Sequence, residues 1–257
     1  MAELTESDDV WARLRALTPA RIGLGRAGSS LPTRALLAFD LAHAQARDAV
    51  HRRLDAEALR EEVRAEGFGE PVMVSSQARD GEDYLLRPDL GRMLDVESED
   101  RIRAARREPS SLAIMIADGL SALAAARHAI LLLRAMRELN AVLLENVTVI
   151  VASRARVALG DAVSAGLGAE AVAVLIGERP GLSSPDSLAV YLTWAPQVGR
   201  TDAERNCISN IRPEGLSYAK AARRVLYLLG EARRMGFTGV GLKDDSEEKP
   251  MFPQVWA

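Results

Sequence analysis

One cysteine and three histidines, His43, His51 and His128, occur in a chain of 257 residues. A single thiol excludes an internal disulfide, and so few nitrogen and sulfur ligands speak against a protein-held zinc or iron site. No metal ligand set is assigned. Aromatic residues make up only 4% of the chain. No apolar run approaches the ~20 residues that span a bilayer, so no membrane insertion is expected. Lysine is scarce beside arginine, and a net charge of -3 gives no field that would draw the chain to nucleic acid or an anionic membrane. The segment from Met1 to Asp9 is acidic and lacks the charged-then-apolar pattern of a secretory leader, so the cytoplasm is the expected compartment.

Hydrophobic residues at 48% supply ample core. Up to about Gly69 the chain reads as helical. Val10, Leu14 and Leu17 recur at helical spacing before Pro19, and Leu36, Leu37, Phe39, Leu41, Ala44 and Val50 suit one buried helical face. Asp55 opens a third helix that runs toward Gly67 and Gly69. After Pro71 the texture changes to short apolar runs alternating with helical stretches, the pattern of a parallel sheet covered by helices. Val72 to Ser76 is a weak strand. Leu112 to Ala117, Val147 to Val151, Ala171 to Ile176 and Leu188 to Leu192 are stronger ones. Leu120 to Asn140, Gly160 to Leu167 and Ser217 to Met235 read as helices. The expected fold is α/β: a small N-terminal all-α domain over residues 1–70, then a Rossmann-like, mostly parallel three-layer α/β domain over 71–257. The charged stretch from Lys243 to Lys249 reads as mobile, with Met251, Phe252, Pro253 and Trp256 available to dock on a neighbour.

Several strings carry possible chemistry. Gly23-Leu24-Gly25-Arg26-Ala27-Gly28 fits the dinucleotide template, but no strand precedes it and Pro32 interrupts the helix that should follow. Tyr84 to Arg92 places Arg87 and Arg92 around a Pro-Asp turn, either as a partner contact or as a strand exit with Asp89 capping a helix. Asp118 stands where a buried strand ends, at the carboxyl edge where open α/β sheets bind ligands, or else caps the following helix. Arg154 and Arg156 follow the next strand, as ligand or partner contacts or as a surface pair. Glu178 ends a third strand, beside a Gly177 that removes a side-chain barrier to a ligand. Its alternative is an internal brace with Arg179. Cys207 has no histidine near it in sequence, which favours packing or ligand contact over nucleophilic catalysis.

Gly25-Arg26-Ala27-Gly28, Arg87-Pro88-Asp89-Leu90-Gly91-Arg92, Gly177-Glu178-Arg179-Pro180-Gly181-Leu182 and Arg205-Asn206-Cys207-Ile208-Ser209-Asn210-Ile211 occur in the order in which the small (light-chain) subunit of ethanolamine ammonia-lyase carries such strings. The chain resembles that family from roughly Ala20 to Gly241. The resemblance implies an adenosylcobalamin-dependent carbon–nitrogen lyase that converts ethanolamine to acetaldehyde and ammonia by a radical mechanism, active only as a hetero-oligomer. In that assembly a large subunit with a β/α barrel binds ethanolamine, and the small subunit contributes the lower wall of the cobalamin site. It implies cofactor contacts at Val157, Glu178 and Cys207, with Arg156 beside them, and no catalytic residue in this chain; Asp118 is a further candidate from its place at the sheet edge. Cobalamin enzymes that displace the lower benzimidazole use an Asp-x-His-x-x-Gly loop. No such string occurs here, so the benzimidazole is expected to stay on cobalt. Relatives housed in bacterial microcompartments often carry a long leader, and the short stretch before the shared region speaks against encapsulation. Two other functions fit the same residues: a freestanding α/β enzyme holding a nucleotide ribose through Glu178 or Asp118, and a purely structural assembly subunit.

Overall fold

The computed structural model describes residues 7–106 and 111–248. Its centre is a six-stranded sheet in the order β1-β3-β2-β4-β5-β6: β1 (Val72–Ser75), β2 (Leu112–Ala117), β3 (Thr148–Ser153), β4 (Ala171–Gly177), β5 (Leu188–Trp194) and β6 (Asn206–Ile211). The first four are mutually parallel, and β5 and β6 each pair antiparallel with the strand before them. Every residue of β2 is fully buried. That burial accounts for its uninterrupted apolar run, since a parallel strand covered on both faces has no reason to alternate. The strand order is not the 3-2-1-4-5-6 arrangement of dinucleotide-binding sheets.

Nine α-helices accompany the sheet among the described residues: α1 (Ser7–Ala16), α2 (Thr33–His51), α3 (Ala56–Ala65), α4 (Gly81–Leu86), α5 (Val96–Ala105), α6 (Ala122–Leu139), α7 (Ala141–Glu145), α8 (Leu159–Leu167) and α9 (Tyr218–Met235). Successive strand residues point to opposite faces. On one face Ile114, Ile116, Leu175 and Leu192 meet Leu132 and Leu133 of α6, Val225 and Leu229 of α9, and Leu59 and Val63 of α3. On the other, Met115, Val172 and Val174 meet Leu159 and Val163 of α8 and Ile102 of α5. β2 therefore feeds α6 on the first face while its neighbour β3 feeds α8 on the second. No helix among the described residues is long and apolar enough to cross a membrane.

Asp55 caps α3, its carboxylate accepting from the Ala58 amide at 3.0 Å, as the sequence predicts. Other expectations are corrected. α2 buries only Ala42 and Ala49. Leu36, Leu37, Phe39 and Leu41 are 47%, 62%, 39% and 60% exposed. Helical periodicity marks an apolar stripe without saying what covers it. Tyr84-Leu85-Leu86 is helical rather than a strand exit, and Asp89 pairs with Arg87 at 2.6 Å instead of capping. The stretch after Lys243 is held as far as Glu248: Ser246 is buried, its carbonyl accepts from Arg223 at 2.9 Å, and Arg224 pairs with Asp244 and Glu247. Met251, Phe252, Pro253 and Trp256 lie outside the described residues.

Two residues of the Arg205-Asn206-Cys207 string prove to be framework. Arg205 and Asp161 are each 1% exposed at the side chain and form a two-pronged pair at 2.7 and 2.6 Å, completed by the Thr193 hydroxyl at 2.8 Å and the Arg200 carbonyl at 2.9 Å. The pair joins α8 to the β5–β6 hairpin across the second face. Asn206 clamps the chain after α9 by accepting from the Gly239 amide at 2.8 Å and donating to the Leu242 carbonyl at 2.9 Å. Removing one partner of such a buried pair leaves an uncompensated charge. Asp161→Ala is expected to cost about 3–5 kcal/mol in chemical denaturation, and a loss below about 1 kcal/mol would contradict this account.

Candidate functional site

The carboxyl tips of β3, β2 and β4 lie side by side, and Asp118 joins the first two. Its Oδ2 accepts from the Arg154 amide at 2.6 Å and its Oδ1 from the amides of Ala155 and Gly119 at 3.0 and 2.9 Å. Burial pushes this carboxyl above its ordinary range, and the three N–H donors oppose the shift. Capping of α6 falls to Ser121, whose hydroxyl accepts from the Ala124 amide and donates to the Pro185 carbonyl at 2.9 Å. Gly177 serves a contact within the chain rather than an open approach to a ligand. A side chain there would lie 2.0 Å from the Ser121 carbonyl oxygen, and the Leu120 amide donates to the Gly177 carbonyl at 3.0 Å.

Beyond this strap the β3–α8 loop turns sharply. Arg154 takes a left-handed φ of 55°, with its Nε donating to the Ala78 carbonyl at 2.6 Å. Arg156 turns back onto α4. Its guanidinium lies 4.3 Å from the Tyr84 ring centroid and donates to the Tyr84 carbonyl at 2.8 Å, while its buried Nε has no partner among the described residues. The Tyr84 hydroxyl donates to the Ala155 carbonyl at 3.1 Å, and burial pushes its pKa up.

Val157, next along, lines a cleft of about 830 Å3 on the second face together with Met93, Ala162, Tyr191 and Arg200. Tyr191 stands opposite Cys207 in the β5–β6 register. Cys207 is exposed, whereas its neighbour Ile208 points into the first-face core. Glu178 reaches the same strand from the tip of β4. Its Oε2 accepts from the Ser187 hydroxyl and from the Asn210 amide at 3.0 Å, and its Oε1 has no partner among the described residues. The brace with Arg179 is not formed among the described residues, and Arg179 is exposed. Desolvation is the main cause raising the Tyr191 and Cys207 pKa values, and the charge of Glu178 adds to both. Cys207 is thus exposed as a residue while its sulfur is partly desolvated.

Val157 thus shares a cleft with Tyr191, Cys207 pairs with Tyr191 across the hairpin, and Glu178 lies near enough for its charge to act on both Tyr191 and Cys207. Asp118 sits at the tips behind them, and Arg156 lies against Tyr84 between the cleft and α4. His128 is buried on the first face, 2.8 Å from the Tyr218 hydroxyl, and is no base for Cys207. Tyr191, Ser187 and Asn210 were not singled out from sequence. Only Tyr191 left a trace, as the polar member of an otherwise apolar strand.

A six-stranded, mostly parallel sheet with helices on both faces defines an α/β protein, with acid, hydroxyl and thiol groups near the carboxyl edge where open sheets of this class bind ligands. The chain belongs to the ethanolamine ammonia-lyase light-chain family, whose sequence profile matches residues 8–243. It is 53% identical over 245 residues to an ethanolamine ammonia-lyase small subunit of Azotobacter vinelandii, covering 94% of this chain and 90% of that protein. It is 55% identical over 249 residues to one of Xanthomonas campestris pv. campestris, covering 95% and 90%, and 52% identical over 247 residues to one of Ralstonia nicotianae, covering 95% and 91%.

Because the Cys207 pKa is raised, little thiolate exists near neutral pH, and alkylation of this single cysteine is expected to accelerate only above the ordinary thiol range of about 8.5. Glu178→Gln removes a negative charge that opposes ionisation, so its alkylation profile should move to lower pH. An unshifted profile would show that the two groups do not interact.

Proposed function

We propose that this chain acts as the small subunit of an ethanolamine ammonia-lyase, with Val157, Glu178 and Cys207 forming one wall of an adenosylcobalamin site completed by a large subunit. The observation that carries the proposal is the similarity, along nearly the whole chain, to proteins named as small subunits of that enzyme. The geometry is compatible. A corrin presents a broad apolar face rimmed by carboxamides, and the wall offers Val157 as an apolar contact, the unpartnered Glu178 Oε1 as an acceptor for an amide N–H, and the Tyr191 hydroxyl as a donor or acceptor. A corrin with its nucleotide tail is too large for the cleft to enclose, so a second wall must come from elsewhere. The exposed apolar stripe of α2 supplies surface for a partner.

When bound, adenosylcobalamin supplies the cobalt–carbon bond whose homolysis starts radical removal of hydrogen from ethanolamine. This chain's share is placement. Ser187 and the Asn210 amide fix Oε2 of Glu178 and leave Oε1 without a partner among the described residues, and the raised Tyr191 and Cys207 pKa values keep both groups protonated and neutral at physiological pH. Ethanolamine is held by the large subunit in this proposal, and no residue of this chain performs the chemistry.

Neither subunit alone is expected to deaminate ethanolamine, whereas their mixture with adenosylcobalamin should, measured as acetaldehyde formed. Activity from this chain alone would assign it to a freestanding enzyme. In the complex, Val157→Arg and Glu178→Ala should each weaken cofactor affinity about tenfold or more, the latter through loss of a charged hydrogen-bond acceptor. Wild-type affinity in both variants would leave the chain a structural role only.

A further inference from the structure

Between the neighbouring tips of β2 and β3 the chain leaves in opposite directions, into α6 on the first face and α8 on the second. Such a switch point is where open α/β sheets form a ligand crevice. A cleft of about 760 Å3 opens there, on the α4 side of the Arg156–Tyr84 stack. Its floor is Asp118, Gly119, Ser153 and Arg154, and its walls are the end of α2 and the helix α4. Its volume lies within the range of small-molecule sites.

Four arginines and three acids line this cleft, and they differ in how they are engaged. Arg52 and Arg53 make no side-chain hydrogen bond or ion pair among the described residues, and Arg154 uses only its Nε, on the Ala78 carbonyl, leaving both terminal nitrogens free among them. The acids present are engaged or peripheral. Asp118 accepts three amides, Asp80 caps α4 through the amides of Glu82 and Asp83, and Glu82 is exposed. Arg79, also on the rim, is neutralised by Asp83 at 2.7 Å. The left-handed backbone at Arg154 is a conformation that costs energy, kept here by the Asp118 strap and by the Ser76 hydroxyl donating to the Arg154 carbonyl at 2.6 Å. It holds one guanidinium at the crevice floor, opposite two on the wall.

We propose that this cleft binds a phosphate ester, its phosphoryl oxygens taken by Arg52, Arg53 and Arg154 and its organic part lying against Val50, Leu54 and Leu85. Guanidinium forks match phosphoryl oxygens in pairs, and three of them suit an anion of more than one charge. The proposal stands independently of the lyase function. Two sources share this chemistry, a free phosphorylated metabolite and the nucleotide tail of a corrinoid.

Calorimetric titration of the full chain with adenosine 5′-monophosphate and with inorganic phosphate tests it. The nucleotide is expected to bind more tightly than phosphate, and Arg154→Ala or the double change Arg52→Glu with Arg53→Glu should weaken it about tenfold or more. Arg13→Glu, an exposed charge reversal on α1, should leave binding unchanged. The double variant alters exposed side chains at a helix end, so it carries the test even if Arg154→Ala fails to fold. No saturable binding of the nucleotide, or equal affinity in the double variant, would overturn the proposal. In the complex with a large subunit, loss of nucleotide binding on loading with cobalamin but not with cobinamide, which lacks the phosphate tail, identifies the tail as occupant. Retention with both identifies a free ester. Nucleotide binding by the chain alone requires no deamination, so the two proposals fail separately.

Discussion

The carboxylate of Asp118 decides where the side chains at the carboxyl edge of the sheet point. By accepting the amides of Arg154 and Ala155 it ties the start of the β3–α8 loop to the tip of β2 and forces the chain through a left-handed turn. The turn sends Arg154 to one side of the sheet edge and Arg156 and Val157 to the other. Two clefts with different linings follow from one acid, one beside α4 and one beside β5. Glycine at 119 and 177 allows the approach, because side chains there would collide with the backbone of the neighbouring tip.

The second flank is held by a different device. Arg205 and Asp161 form a buried ion pair whose hydrogen-bonding capacity is largely taken up by Thr193 and the Arg200 carbonyl, and it fixes the β5–β6 hairpin against α8. Burying two charges gives little net stability when compared with apolar packing, but it specifies one geometry. The geometry matters because Tyr191 and Cys207 ride on that hairpin beside Glu178. Framework and candidate contact residues thus lie side by side in and just before β6, with Arg205, Asn206 and Ile208 held in the structure and Cys207 exposed.

Much of the architecture was legible in the residues. The runs in β2 and β4 are apolar throughout because both faces are covered, and that composition predicts buried parallel strands. β6 was not legible, because Asn206-Cys207-Ile208-Ser209-Asn210-Ile211 has few apolar positions and takes its strand geometry from pairing with β5. The stripe on α2 was read as buried because periodicity reports an apolar face without its partner. The Glu178–Arg179 brace was a natural expectation from adjacency, yet neighbouring strand-end residues point apart, and Glu178 finds Ser187 and Asn210 instead.

The sequence by itself determined the class of fold, the cap on α3 and the set of polar residues at the strand ends, since these depend on local propensity, burial pattern and composition. Only the tertiary structure decided which of those residues meet. Asp118 finds its partners 36 and 37 residues away, Glu178 reaches an amide 32 residues away, and Arg205 crosses 44 residues to Asp161. Such contacts are set by strand order and register, which arise from packing of the whole chain and leave no local mark on the residues they join.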